Sequence, residues 1–166
     1  QTMNGALSPT HADTVEVFLY DSLLSLAYSE KVRVTVFGTT SLSISGITFN
    51  RGYYIKLRHR NCLDTWSSTR LVLDSPTETY DFSSSASSAW GNNLHAFGDG
   101  YFGLYSGDVN KDGVINHDDH LALEAMTPSF PAGYLSGDLT GDNTIESSDY
   151  SLVENNSKLT LIVASP

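Results

Sequence analysis

Cys62 is the only cysteine among the 166 residues, which excludes a disulfide within the chain. Basic residues are also scarce: nine Lys and Arg stand against 19 Asp and Glu, a formal net charge of −10. A surplus of that sign repels polyanions and argues against a nucleic-acid partner. No apolar run approaches the roughly 20 residues that a membrane-spanning helix needs, so membrane insertion is not expected. The first residues do not read as a basic and apolar signal segment, and Gln1 is expected to be either a mature or an artificially trimmed terminus. The chain is 40% hydrophobic and 11% aromatic, the composition of a globular protein of one domain or two small ones.

The acidic surplus is local. Residues 1–105 carry seven Lys or Arg and nine Asp or Glu; residues 106–166 carry two Lys and ten Asp or Glu. The second set alternates its carboxylates with apolar residues at fixed spacing, which a solvated acidic tail has no reason to do. Calcium takes six to eight oxygens and is held by a 12-residue loop that offers them from alternate positions. Residues 108–119 fit that loop, with Asp108, Asn110 and Asp112 at positions 1, 3 and 5. Gly113 occupies the sharp turn at position 6, where a Cβ is costly. Val114 supplies a carbonyl at position 7, Asn116 stands at position 9, and Asp119 at position 12 is the bidentate carboxylate. Residues 138–149 repeat the pattern with Asp138, Thr140, Asp142, Thr144, Glu146 and Asp149. Asn143 replaces the glycine, and Asn tolerates the left-handed conformation better than most residues. Thr140 is a neutral ligand, so the second loop is expected to bind more weakly. Ile115 and Ile145, both at position 8, are expected to pair with each other.

The loops start 30 positions apart, and their flanks repeat: Ser106-Gly107-Asp108 is echoed by Ser136-Gly137-Asp138. This is an internal duplication. Each loop runs into a short helix, over 118–126 with a stripe of Leu121, Ala122, Ala125 and Met126, and from 148 to about 155 with Leu152 and Val153. Pro128 and Pro131 end the first helix. Residues 103–107 are too short and glycine-rich for a helix entering the first loop. Loop then helix, duplicated, with Asp at position 12, resembles the dockerin module over about residues 106–157. That resemblance implies two bound calcium ions and a cohesin-like protein partner, chosen through positions 10 and 11, here His117-Asp118 and Ser147-Ser148.

The preceding residues alternate as strands. Val15, Val17 and Leu19 share one face over 14–20; Val32, Val34 and Val36 point inward over 31–37; Leu42 and Ile44 continue over 41–49. Over 53–60, Tyr53, Ile55 and Leu57 point inward while Lys56, Arg58 and Arg60 face out, and further strands are expected over 66–73 and 79–83. Mainly β with a small α part is the resulting fold class: an antiparallel β-sandwich, Ig-like or transthyretin-like, over 1–105, then the calcium-binding module over 106–157. Residues 158–166, with Leu159, Leu161 and Val163 alternating, form a last strand packing on the sandwich or on a neighbouring subunit.

The run Gly52-Tyr53-Tyr54 through His59-Arg60-Asn61, with Thr65-Trp66-Ser67, resembles a module at the C-terminal ends of large secreted bacterial proteins, where a small sandwich leads into a dockerin-like repeat. That likeness implies a secreted or cell-surface setting and an accessory role; the Ser common after the Asn is Cys62 here, a small apolar filler. His59 has no nucleophile or acid tied to it in the sequence and reads as structural, so no catalytic residue and no enzyme activity are expected. A non-catalytic, extracellular calcium-binding protein that assembles into a fibre or filament is the first reading. Docking to a cohesin-like partner is the second. Binding of a polysaccharide through Tyr53, Tyr54, Trp66, Trp90, Tyr101 or Tyr105 is the third.

Overall fold

The computed structural model describes residues 11–127 and 133–166. The first seven residues, Pro128 and Pro131 lie outside that set. The described chain is mainly β with two α-helices, and all its strand pairs are antiparallel.

The main sheet is built on β1 (His11–Tyr20), which pairs along its length with β2 (Leu26–Thr35) and over Glu16–Tyr20 with β3 (Gly52–Arg58). Two-residue strands β4 (Thr65–Trp66) and β5 (Leu71–Val72) both pair with β3. Alternation dictates the buried face. Val17, Leu19, Tyr53 and Ile55 lie side by side in the core with Leu73, under partly buried Val15, Val32 and Leu57.

The layer over that face is irregular. Residues 41–49, expected as a strand, contribute Leu42, Ile44 and Ile47 to the core without pairing, and Tyr80 and Phe82 do so from the segment expected as the strand 79–83. The expected strand 66–73 is reduced to the ends of β4 and β5. Val36 is 47% exposed rather than inward. The cause is a turn: Gly38, at φ 74°, donates its N–H to Thr35 O and ends β2 at Thr35.

Arg58 faces out as the sequence suggested, its side chain 45% exposed, but Lys56 on the same face of β3 is not open to water, and neither is Arg60 just past the strand, whose side chain is 11% exposed. Lys56 is 9% exposed, with Nζ 5.0–6.0 Å from the ring centroids of Phe18, Tyr20 and Trp66 and 3.0 Å from Asp64. Aromatic residues on β1 and β4 roof that face, so a lysine is retained there by cation–π contact and an ion pair.

Beyond a small hairpin of β6 (His95–Ala96) and β7 (Phe102–Gly103), the chain enters the duplicated part. This comprises β8 (Val114–Ile115), α1 (His117–Met126), α2 (Ser147–Ser157) and β9 (Leu161–Ile162). Leu123 on α1 and Val153 on α2, 30 residues apart, are both fully buried and form a second core with Val109. The stripe on α1 is therefore Ala122, Leu123 and Met126; Leu121, expected inside, is 48% exposed, and Ala125 is exposed as well. Ile115 does not pair with Ile145. It pairs with Leu161 of β9, and Val114 with Ile162, while Ile145 packs on the second core. The terminal strand thus closes on the first loop of its own chain, and Asn93 Nδ2 donates to Ile162 O at 3.5 Å from the other side.

Candidate metal centres

In the first loop the chain turns where expected. Gly113 has φ 87°, and Lys111 at position 4 also sits in the left-handed region at 62°. Asp108 is 1% exposed and Asp119 is fully buried. Both oxygens of Asp119 are aimed into the loop: Oδ1 accepts the N–H of Val109 at 2.7 Å and of Asn110 at 3.2 Å, and Oδ2 accepts that of Asn116 at 2.9 Å. Position 12 thereby ties the loop's beginning to its end. Asn116 caps α1 through Oδ1, which accepts the Asp118 N–H at 2.5 Å. Asn110 and Asp112 are exposed and make local turns, with Asp112 Oδ1 accepting the Val114 N–H and Oδ2 the Asn110 side-chain amide. Asp108 Oδ1 is buried with no hydrogen-bond partner. Burial, and then the neighbouring Asp119, raise the Asp108 pKa, with Lys111 opposing.

The second loop has the same frame. Asp149 Oδ1 accepts the N–H of Leu139 and Thr140 at 2.8 and 2.9 Å, and Oδ2 that of Glu146 at 2.9 Å. Asp138, fully buried, accepts N–H from Gly141, Asp142 and Asn143. Asn143 takes the left-handed conformation at φ 74°, as Gly141 does at 78°. Asp142 accepts from the N–H and hydroxyl of Thr144, Thr140 is half-buried, and Glu146 is exposed. Among the described residues no three His, Cys, Asp or Glu side chains are grouped closely enough to hold an ion by themselves. The structure brings Asp108 to Asp119 and Asp138 to Asp149 through shared backbone; Asp112 and Asp142 stay turned to their own loops. The fit to a hard cation rests on the orphaned Asp108 oxygen and on an all-oxygen donor set completed by Asn, Thr and carbonyls.

Sequence reasoning missed how the loops are held. The segment after β3, residues 59–64, touches both. Asn61, 2% exposed, accepts the Gly107 N–H on its carbonyl at 2.7 Å and donates Nδ2 to Asp138 O at 3.0 Å. Arg60 Nη1 donates to Asp138 O at 2.6 Å and to Leu135 O. Lys111 Nζ donates to Cys62 O and lies 3.6 Å from Asp64 and 3.5 Å from Asp108. Asp64 in turn takes a bidentate Arg58, with Nε at 3.1 Å and Nη2 at 2.7 Å. The signal was a run of hydrogen-bonding side chains at a strand end, whose partners lie more than 40 residues away.

His59 is partly buried beside them, its side chain 12% exposed. Nε2 lies 2.9 Å from Asp13, and Nδ1 faces Asn61 Oδ1 at 2.9 Å and the Cys62 sulfur at 3.2 Å. Burial works against its charge, but hydrogen bonds to Asp13 and Cys62 outweigh that and hold the pKa up at about 9. Asp13, also opposed by burial, is held down at about 2 by His59 and Tyr134. Of the aromatic candidates, Tyr53 is in the core. Trp66 packs on Tyr20 at 4.7 Å, Trp90 on Tyr54 at 5.9 Å and Tyr105 on His95 at 5.5 Å, while Tyr101 is 63% exposed. Comparison with protein-family models, curated proteins and solved structures gave no match.

Proposed function

We propose that the chain is an extracellular, non-catalytic structural protein that binds two calcium ions in residues 108–119 and 138–149 and assembles into fibres or filaments. In this reading the loop–helix pair is dockerin-like and stands on a sandwich module whose second layer is irregular. The observation that carries it is the burial of four carboxylates, Asp108, Asp119, Asp138 and Asp149, at 1% exposure or less within two short loops. Lys111, 3.5 Å from Asp108, and Arg60, 3.9 Å from Asp138, are the cations recorded near them among the described residues. Buried carboxylates without enough cations are costly, and a divalent ion in each loop restores the balance.

Asp108, Asn110, Asp112, Asn116 and Asp119, with the Val114 carbonyl, hold the first ion. Asp138, Thr140, Asp142, Glu146 and Asp149, with the Thr144 carbonyl, hold the second. The ion supplies charge neutralisation and cross-linking; the chain supplies the cage. Thermal unfolding with calcium, with magnesium and with chelator tests this. At a concentration 100 times the dissociation constant, calcium adds about 2.7 kcal/mol per site. Asp112→Ala, at an exposed position, removes the calcium response of the first site and leaves the chelated protein's Tm nearly unchanged. Asp119→Ala also strips three backbone N–H groups of their acceptor and lowers Tm even in chelator. Equal Tm with calcium and chelator overturns the reading. Docking to a cohesin-like protein is a second reading, favoured by the exposure of His117, Asp118 and Ser147.

A further inference from the structure

We infer that Asn61 is a positioning residue that couples the two calcium loops to each other; the inference rests on the calcium reading above. One residue holds the entrance of both loops. Its carbonyl accepts the N–H of Gly107, immediately before Asp108, and its side-chain amide donates to the carbonyl of Asp138, the first residue of the other loop. Asn61 is 2% exposed, so neither bond is exchanged easily with water. Its neighbours reinforce both grips: Cys62 forms a bridge with Ser106 and accepts Lys111 on its carbonyl, and Arg60 donates to the same Asp138 carbonyl.

Position 1 of each loop is the ligand that enters the cage first along the chain, so fixing one entrance fixes where that carboxylate stands. An ion that draws Asp108 into place also fixes Gly107, hence Asn61, hence the Asp138 backbone. Linkage makes this reciprocal. A second path runs through α1 and α2, which share Leu123 and Val153 in one core. The two paths differ in what severs them.

The test is a calcium titration of the whole chain followed by the amide resonances of Gly113 in the first loop and Gly141 in the second. With the first loop disabled by Asp112→Ala, the second loop of the otherwise unaltered protein binds at least about five-fold more weakly. In Asn61→Ala, which cuts the side-chain arm and keeps the backbone one, Asp112→Ala changes the affinity of the second loop less than two-fold. Asn61→Asp, which keeps the side chain's size and the backbone arm but replaces the Nδ2 donor by an acceptor, serves as the second variant if Asn61→Ala does not fold; the same loss of coupling is expected. Calcium binding with an Asp112→Ala effect as large in both variants as in the parent overturns the role of Asn61 and leaves the calcium reading standing. Two sites that fill independently in the parent do the same. Neither resonance moving in millimolar calcium overturns both.

Discussion

His59 illustrates how a single side chain carries a measurable charge effect. Its imidazolium is enclosed between Asp13 and the Asn61–Cys62 pair, with Arg60 3.9 Å from the same Asp13 carboxylate and Tyr134 donating to Asp13 at 2.5 Å. A folded pKa of about 9, raised from 6.5, contributes stability that is complete below the unfolded value and is lost as pH climbs through 9. Asp13, lowered from 3.8 to about 2, contributes above its unfolded value and loses its part only in strong acid. The pair therefore stabilises most between about pH 4 and 6.5. Between pH 6.5 and 9 the Tm in saturating calcium is expected to fall, and His59→Gln should remove most of that slope. A slope unaltered by the substitution assigns the pH effect elsewhere.

At the scale of elements, one position of the duplication shows the same residue chosen for two reasons. Gly107 and Gly137 each precede the first ligand of a loop. Gly107 sits at φ 121°, a conformation closed to side chains. Gly137 has no positive φ; a Cβ there meets Leu123 Cδ1 at 2.7 Å, Ile145 Cδ1 at 2.8 Å and Met126 Sδ at 3.0 Å, so these side chains must shift to admit it. Gly137→Ala should cost about 1–3 kcal/mol by overpacking, and Leu123→Val in the same chain should return part of it. If Gly137→Ala unfolds at the parent's midpoint in denaturant, the contact is softer than drawn. The elements that local spacing determines were readable in advance: α1 and α2 within two residues, the turns at Gly113 and Asn143, and the inward faces of β1 and β3. The parts that depend on distant chain were not. Leu121 and Leu123 fit helical stripes one step apart, and only the position of α2 decides between them. Lys56 reads as outward until Trp66 and Tyr20 are folded over it. Asn61 carries no local sign of its two partners.

For the whole molecule, the proposed assembly would have to use a surface that the fold leaves open. Among the described residues β2 is the sheet's long free edge: Arg33 O accepts the Thr40 hydroxyl and Thr35 N–H donates to Thr39 O, so the odd-numbered residues turn their backbone outward. Antiparallel pairing of two such edges through Ser29, Lys31 and Arg33 sets Lys31 against its own copy, which disfavours a symmetric contact there. Leu23 and Phe37, 83% and 88% exposed in the turns at opposite ends of β2, are open to a neighbour instead. Light scattering and negative-stain images are expected to show polymers in calcium that shorten in chelator. Monomers under both conditions would remove the assembly reading and favour docking.

The closure of β9 on β8 would give the proposed calcium site a mechanical place in the chain. Tension applied at Pro166 reaches Val114 and Ile115 through a ladder two residues long before it reaches the five-stranded sheet. Val114 is also the residue whose carbonyl is assigned to the first ion. A loaded cage would stiffen the anchor at which a pulled tail first tugs, and an empty one would let the tail peel away rung by rung.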